Sequence, residues 1–490
     1  MDNIDSLVYF IPELVLVVAA VAAVLYDLTL KDQNSEKVGY LSLVGVVATL
    51  IAVIIVKSTF GATDQSLFLG MIRLDNFAVF FKIIILLATG ATILFSMSSD
   101  ELDQRTKGEY YALLLAVTLG MFLMASSTHL LMIYLSLETV SLTSYILAGF
   151  LTRNPRSSEA AFKYITYGAV ASGTMLFGLS YLFGLTGTAD VTEISTVLVE
   201  MFNNGDGTPL TVLVAITFIM AGVGYKIASV PFHMWSPDVY EGAPIPITAF
   251  LSVASKAAGF ALFIRLFYLS FQGMVEFVNW SLMLAIVSAL TMTVGNLAAL
   301  PQQNVKRLLA YSSIAHGGYL LMGGVLLTSE GVQAILFYFI VYLFMNLGAF
   351  FVVILIAKEV GSETIDGYRG LVSRAPWWVH ASMAIFLFSL TGIPPLSGFF
   401  GKWFLFAAVI KSEIYWLAIV GLLNTVVSLY YYARIVKAMY FETSDDTEPI
   451  SFTPANRLLL IILLIPTTLI LGFIGIFYKL SEASIKGIIG

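Results

Sequence analysis

Apolar segments long enough to cross a lipid bilayer follow one another along almost the whole chain. A spanning helix needs about 20 apolar residues, and fourteen segments reach or approach that length. The pattern predicts an all-α polytopic membrane protein with about 14 transmembrane helices, a single membrane domain over residues 1–490 and no separate soluble domain. The fourteen segments are 7–30, 38–57, 76–98, 109–126, 128–152, 160–186, 209–229, 244–270, 273–297, 304–327, 331–358, 379–410, 413–440 and 455–480.

Composition agrees with a membrane protein and excludes several classes of site. The 490 residues are 59% hydrophobic and 11% charged, against about 25% charged in soluble domains. A net charge of -6 argues against a nucleic-acid partner. The absence of cysteine excludes disulfides and thiolate or iron–sulfur ligation by this chain, so we expect it to hold no cofactor. The four histidines, none paired at a helical ligand spacing, are His129, His233, His316 and His380.

The positions of Lys and Arg predict the orientation, because basic residues concentrate in short cytoplasmic loops. With both termini outside, five basic residues are external: Lys57, Arg73, Lys411, Lys479 and Lys486. The first apolar segment is expected to be a retained helix, since no basic region or cleavage site precedes it. The fifteen cytoplasmic basic residues are Lys31, Lys37, Arg105, Lys107, Arg153, Arg156, Lys163, Lys306, Arg307, Lys358, Arg369, Arg374, Arg434, Lys437 and Arg457.

Two apolar segments are interrupted by proline and glycine. Residues 222–259 read GVGYKIASVPFHMWSPDVYEGAPIPITAFLSVASKAAG, and residues 391–401 read TGIPPLSGFFG. Proline removes a backbone donor and disfavours helix at the preceding residue, so the seventh and twelfth helices are predicted to be broken. Broken backbone at membrane depth is tolerated where it is buried in protein or lines a wet cavity, as at the ion sites of transporters.

The two breaks lie five helices apart, and each has a lysine close by. A unit with an odd number of helices must lie inverted relative to the next copy, so the spacing predicts two inverted five-helix repeats. The predicted division is an N-terminal group of three helices over 1–105, a first repeat over 106–270, a second repeat over 271–440, and a loop with the last helix over 441–490.

Glu138 lies about eleven residues into the fifth predicted helix, roughly 15 Å deep at 1.5 Å per residue. A carboxylate at that depth is costly and is rarely kept without a role or a partner. A pair with Lys226 would satisfy both charges. Separation of that pair would allow Lys226 to pass its proton to Lys256, while a static pair that only fixes helix register is the alternative.

The remaining basic residues of the apolar segments fall into two groups. Lys256 and Lys402 are expected to carry protons, because neither is within a turn or two of an interface and Lys402 follows the second break. Lys82 and Arg265 lie nearer to helix ends, so we expect both to extend their charged groups to the interface.

Two further residues allow two interpretations each. Lys163, at the start of the sixth predicted helix, is either a headgroup anchor or a proton donor to the interior. His316, flanked by serines and glycines, is either a proton relay, because an unperturbed histidine titrates near neutrality, or a packed and hydrogen-bonded side chain.

Three motifs together resemble a known family. VPFHMWSPDVYEGAPIPITAFLSVASK, NVKRLLAYSSIAHGGY and TGIPPLSGFFGKW are similar to the antiporter-like membrane subunits of bacterial NADH:quinone oxidoreductase, respiratory complex I. The resemblance implies a fourteen-helix fold with two inverted repeats and a proton channel. It places Glu138, Lys163, Lys226, Lys256 and Lys402 at the family's ionisable positions on the fifth, sixth, seventh, eighth and twelfth helices. Lysine at the last position favours the N-type subunits over the M-type, where glutamate is expected.

The resemblance also implies the setting in which the chain works. We expect proton translocation coupled to NADH oxidation and quinone reduction, other membrane-arm subunits as partners, and FMN, iron–sulfur clusters and quinone in those partners. The expected location is the bacterial inner membrane. Two alternatives stay open: a subunit of a multisubunit Na⁺/H⁺ antiporter, which shares the fold, and the pump module of a membrane-bound hydrogenase. A purely structural scaffold has no use for four charges at the membrane centre.

Overall fold

The computed structural model describes residues 3–30, 36–59, 64–103, 106–444, 446, 448–486 and 488. Helices dominate this part of the chain. The helices are α1 (Asn3–Tyr9), α2 (Ile11–Thr29), α3 (Glu36–Thr59), α4 (Asn76–Ser98), α5 (Lys107–Ser126), α6 (Leu130–Ala148), α7 (Pro155–Thr186), α8 (Val191–Asn203), α9 (Pro209–Ile227), α10 (Trp235–Gly242), α11 (Ile245–Phe250), α12 (Lys256–Phe271), α13 (Trp280–Ala299), α14 (Val305–Val325), α15 (Ser329–Val360), α16 (Leu371–Arg374), α17 (Trp377–Thr391), α18 (Ser397–Lys411), α19 (Tyr415–Phe441), α20 (Pro454–Thr468) and α21 (Ile470–Ile485).

The predicted class of helical membrane protein is confirmed. Within the described ranges, eleven helices are long and apolar enough to cross a bilayer, and the bent pair α20–α21 raises the number to twelve. The count of fourteen and the inverted repeats stay predictions. A hairpin of two short antiparallel strands, β1 (Gln65–Leu67) and β2 (Ile72–Leu74), was not anticipated. Helix α8 likewise occupies most of a segment that reads as a loop in the sequence.

Both predicted breaks are present. The chain leaves α9 at Ala228, which has a left-handed backbone with φ 58°, and runs through a non-helical stretch to the short helix α10. It leaves α17 at Gly392, with φ 95°, a conformation that glycine adopts without steric cost. A third interruption, not predicted, divides the last apolar segment into α20 and α21.

The connecting segments gather at two opposite faces. On one face, which we call the outer face after the predicted orientation, the Thr128 N–H donates to Met71 O at 3.1 Å and the Val191 N–H donates to Thr128 O at 3.1 Å. On the opposite, inner face, residues 304 and 364 form an isolated β-bridge. Of the residues used to predict the orientation, Lys31 and Arg105 lie outside the described residues.

The middle of the molecule is built from two long elements that are buried along almost their whole length. One is the continuous segment α11–α12, which includes a single π-helical turn at Leu251–Ser255, and the other is α15. Helices that are apolar all round in this way belong to the interior of a large bundle. Polar side chains on these two elements therefore face protein.

The expectation that Lys82 and Arg265 reach the membrane interface was wrong. Lys82 is 2% exposed and forms an ion pair with Glu13 of α2, with Nζ 2.5 Å from Oε1. Arg265 is fully buried and donates two hydrogen bonds, both of 2.9 Å, to the carboxylate of Asp75. The sequence offered no signal for these pairs, because each carboxylate comes from a distant segment that closes over the basic side chain only in the folded bundle.

Candidate functional site

Lys226 lies in the last turn of α9, directly before the first break. It is buried, and its Nζ donates to Ser141 Oγ on α6 at 3.4 Å. A helix carboxyl end carries unpaired carbonyl groups that favour a positive charge. The break therefore supplies a polar environment for the lysine inside the bundle.

Glu138 lies one turn before Ser141 on α6 and is half-buried. Between the described residues, no ion pair within 4 Å joins its carboxylate to Lys226. The predicted contact is thus absent from this conformation, and Ser141 is the side chain that connects α6 to the Lys226 amine. Because α6 presents Leu135 and Leu142 at the molecular surface on either side of it, the carboxylate lies near the edge of this chain.

Lys256 follows the π-helical turn at Leu251–Ser255, and such turns are frequent at functional sites. Its Nζ donates to the backbone oxygen of Ser313 and, at 2.8 Å, to Ser313 Oγ. Glycine at position 259 allows the Lys256 segment to approach α9, because a Cβ there would lie 2.9 Å from Ile227 Cγ2 and 3.3 Å from Lys226 Cγ. The two lysines therefore belong to directly packed segments.

His316 is buried and has a hydroxyl partner at each ring nitrogen. Nδ1 lies 2.6 Å from Tyr338 Oη, and Nε2 lies 3.4 Å from Tyr432 Oη. Tyr432 in turn hydrogen-bonds to Ser312, the neighbour of the Lys256 partner Ser313. These groups, with Tyr342, which donates to Ser313 Oγ at 3.1 Å, form a polar region around α14 that includes Lys256 and His316.

Lys402 lies in the second turn of α18, close to the second break. Its Nζ donates to the Thr391 carbonyl at the end of α17 at 2.8 Å and reaches Thr425 Oγ1 at 3.5 Å. The Tyr319 ring lies 4.4 Å from the amine, within the range of a cation–π contact. The carboxyl end of α17 at the second break thus contacts a buried lysine directly.

The five buried basic residues of the apolar segments fall into two classes according to the groups that they contact. Lys82 and Arg265 each contact a carboxylate. Lys226, Lys256 and Lys402 contact hydroxyl and carbonyl groups, and across the described ranges none of them has an acidic oxygen within 4 Å. A buried charge without a counter-ion is costly. The protonation of these three lysines is therefore sensitive to any charge that appears nearby.

Lys163 lies at the inner end of α7, apart from the buried lysines. It bridges Glu159 and Asp238, each at 2.7 Å, and Asp238 also accepts a hydrogen bond from Arg307 at 2.6 Å. Burial alone would raise the pKa of Asp238, but the hydrogen bonds from Lys163 and Arg307 lower it overall. The cluster joins α7, α10 and α14 at the inner face.

A polar cavity of about 520 Å³ lies beside this cluster at the inner face. Glu101 and Lys306 line it, and the Glu101 carboxylate accepts the Ile245 N–H at the start of α11 at 2.8 Å. Lys306 is paired with Glu363 at 2.7 Å. The cavity therefore reaches from the inner face to the base of the segment that carries Lys256.

Sequence reasoning singled out the charged members of this region and missed its tyrosines. Tyr338 and Tyr342 are four residues apart on the apolar helix α15, and both are fully buried. Their spacing on one helix face is a signal that could have been read from the sequence. In the portion of the chain that the structure covers, no group of three His, Cys, Asp or Glu side chains could hold a metal ion.

Comparison with known proteins identifies the family. A family model described as NADH:quinone oxidoreductase/Mrp antiporter, transmembrane, matches residues 127–428. The chain belongs to this family. A Sorangium cellulosum protein named NADH-quinone oxidoreductase subunit N 2 is 45% identical over 509 residues, covering 99% of this chain and 98% of the relative. An Anaeromyxobacter protein named NADH-quinone oxidoreductase subunit N is 46% identical over 463 residues, covering 90% and 89%. The resemblance seen in the motifs is confirmed.

Two solved structures share the architecture. A chain of respiratory complex I from Thermus thermophilus with bound aureothin matches with a TM-score of 0.79 at 28% identity, covering 96% of this chain and 99% of that one. A chain of the Mrp complex from Dietzia sp. matches with a TM-score of 0.84 at 19% identity, covering 100% of each. The second likeness shows the fold alone.

Proposed function

We propose that this chain is a proton-translocating subunit in the membrane arm of a bacterial NADH:quinone oxidoreductase. The observation that carries the proposal is the set of three buried lysines, Lys226, Lys256 and Lys402, each held by neutral groups. A buried ammonium held only by neutral groups has no counter-ion that fixes its proton. Transfer of that proton to another lysine in a similar environment therefore costs little free energy. The three lysines are therefore suited to pass a proton sideways through the membrane.

Glu138 is the group that would start the transfer. Two unit charges about 8 Å apart interact by about 2 kcal/mol at an effective dielectric constant of 20. At such a separation, a change of charge at the Glu138 carboxylate would act on Lys226 through space. Such an energy changes a protonation equilibrium by a factor of about 30. Because Glu138 lies near the edge of the chain, a neighbouring membrane-arm subunit could supply that charge.

The onward transfer would use the polar region around His316. Ser313 contacts Lys256, and its sequence neighbour Ser312 contacts Tyr432, which in turn contacts the imidazole. Imidazole can accept a proton at one nitrogen and donate from the other. Lys402 would be the last group of the series, and Lys163 would stay at the inner face as a positioning residue for Asp238.

Electron transfer is assigned to partner subunits in this proposal. FMN, iron–sulfur clusters and quinone would be bound there, and this chain would hold no redox centre, in agreement with its lack of cysteine. The chain would lie in the bacterial inner membrane with both termini on the outer side. Its partners would be the other membrane-arm subunits, and it would contact lipid elsewhere.

Substitution of Lys226 by Ala tests the proposal. In the assembled complex we expect proton pumping and coupled quinone reduction to fall on the order of a hundredfold, the scale of losing a positioned proton-transfer group. Lys437→Ala, at an exposed lysine of the inner face paired with Glu442, is the matched control and should change neither rate. An assembled Lys226→Ala complex that pumps like the wild type would contradict the mechanism.

A subunit of a multisubunit Na⁺/H⁺ antiporter is the second candidate, and the fold likeness to the Mrp complex is its support. The two functions differ in what purifies with the chain. An oxidoreductase subunit should copurify with flavin absorbance and NADH-oxidising activity, whereas an antiporter subunit should show neither and should exchange Na⁺ for H⁺ in vesicles.

A further inference from the structure

Helix α15 carries three polar side chains at four-residue intervals on one face of an otherwise apolar segment. They are Tyr338, Tyr342 and Asn346, and all are fully buried. Two of them contact the polar region already described. The partners of the three are, in order, His316 at 2.6 Å, Ser313 Oγ at 3.1 Å and Ser252 Oγ at 2.6 Å. The third contact extends the polar face beyond Lys256.

The contact between Asn346 and Ser252 lies beside the π-helical turn that precedes Lys256. Asn346 Nδ2 donates to Ser252 Oγ, while Asn346 Oδ1 has no hydrogen-bond partner among the described residues. A buried amide oxygen without a partner costs about 1–3 kcal/mol, and water commonly satisfies such groups. An amide and a hydroxyl side by side supply the polar contacts that a buried water needs.

This contact lies between Lys256 and the inner cavity. Ile245 of α11 and Ile354 of α15 both line the cavity. Ser252 is seven residues beyond Ile245, and Asn346 is eight residues before Ile354, which correspond to rises of about 10 and 12 Å. Thr248 lies between Ile245 and Ser252, so each turn of the segment below Lys256 carries one hydroxyl.

Glu101 is the titratable group at the cavity end of this route. Its carboxylate is hydrogen-bonded to the Ile245 N–H, and burial raises the pKa of Glu101, so it binds a proton at higher pH than an exposed glutamate does. The opposing charge of Lys306 acts against that rise. The other charged groups that line the cavity are Asp100, Arg156, Glu241, Lys358 and Glu363.

We propose that Asn346 and Ser252 bind water that connects Lys256 to the inner cavity, with Glu101 as the proton acceptor at the cavity. This route supplies the second lysine of the series directly from the inner face, in addition to the sideways transfer that involves Lys226. The inference rests on the proposed function, because it assumes that Lys256 exchanges protons. Asn346 acts through water on Lys256 and is a positioning residue.

Asn346→Leu tests the route, since leucine keeps the branched shape of the side chain and replaces both polar atoms by methyl groups. In the assembled complex we expect pumping to fall about tenfold at alkaline pH on the inner side, the scale of losing one hydrogen bond along the route. The loss should shrink at acidic pH, because a higher proton concentration compensates slow uptake. Asn346→Gln keeps the amide donor and acceptor and should restore more of the rate than leucine does.

Asn296→Leu is the matched control, because Asn296 is an equally buried asparagine on α13 that pairs with Asn424 and Tyr431. It should leave the pH profile unchanged. If Asn346→Leu does not assemble, Ser252→Ala tests the same route with a smaller change in side-chain shape. A wild-type pH profile in the assembled Asn346→Leu complex would overturn the inference. An equally altered pH profile in Asn296→Leu would overturn it as well.

One further measurement separates this inference from the proposed function. Lys256→Ala should abolish pumping if the lysines carry protons. Normal pumping in Lys256→Ala would refute the proposed function itself. Loss of pumping in Lys256→Ala together with an unchanged pH profile in Asn346→Leu would refute only the route through Asn346.

Discussion

At the scale of single residues, the partner of a buried cation indicates what the cation does. Lys82 and Arg265 are neutralised by Glu13 and Asp75, and each pair joins helices that are distant in the chain. The lysines of the proposed proton path have neutral partners instead. An ion pair stabilises the charged state of both partners. In a neutral polar environment, by contrast, a nearby charge can change whether the lysine is protonated.

By this reasoning the Arg265–Asp75 pair has a structural role, and its loss should lower the stability of the protein. Arg265→Leu leaves the Asp75 carboxylate buried without a counter-ion, so we expect destabilisation by about 3–5 kcal/mol. The melting temperature and the yield of assembled complex measure this effect. The double variant Asp75→Asn/Arg265→Leu removes the uncompensated charge and should recover most of the stability. Equal losses in the single and double variants would contradict the explanation.

At the scale of elements, close helix packing brings the polar side chains together. Helices α13 and α14 approach each other at glycine, and a Cβ at Gly318 would lie 2.6 Å from the backbone nitrogen of Met292. Small residues permit such close contact between membrane helices. Because α14 carries His316 and Ser313, the position of this helix determines whether these groups reach Lys256.

Gly318→Ala should therefore separate α13 from α14. The added methyl group meets backbone, which cannot move aside as a flexible side chain would, and we expect a cost of about 1–3 kcal/mol. Thermal stability of the solubilised complex and its pumping rate should both fall. Gly173→Ala on α7 is the control, because a Cβ there meets no atom within 4 Å. Similar losses in both variants would show that helix contact is not the cause.

At the scale of the whole molecule, the cluster around Asp238 joins the two predicted repeats. Lys163 of α7 belongs to the first and Arg307 of α14 to the second, and Asp238 contacts both. The cluster lies at the inner face, below the first broken helix. It thus holds the segment between Lys226 and Lys256 against both halves of the bundle.

Asp238→Asn should lower stability by about 2 kcal/mol at neutral pH through the loss of charged hydrogen bonds. The pH dependence has a definite sign. Because the pKa of Asp238 is lowered in the folded state, its stabilisation is fully present above the ordinary value of 3.8 and is lost as pH falls through the folded value. The difference in melting temperature between wild type and variant should therefore narrow only in acid. A constant difference at all pH values would contradict this role.

The sequence by itself determined the class of protein, the two broken helices and the buried lysines. Apolar segments of this length and number indicate membrane helices, prolines interrupt them, and a lysine near the middle of such a segment cannot reach the membrane surface. These inferences need only local chemistry. The family followed from motifs around the same breaks.

Only the tertiary structure decided which groups those residues meet. Asp75 and Arg265 are 190 residues apart, and Lys256 and Ser313 are 57 apart, so neither contact is visible in a local pattern. The same holds for Glu138 and Lys226, whose possible pairing the sequence left open: among the described residues no ion pair within 4 Å joins them, and Ser141 of the same helix contacts the Lys226 amine. The physical reason is that a helix periodicity specifies a buried face, whereas the packing of many helices selects the partner on the facing surface.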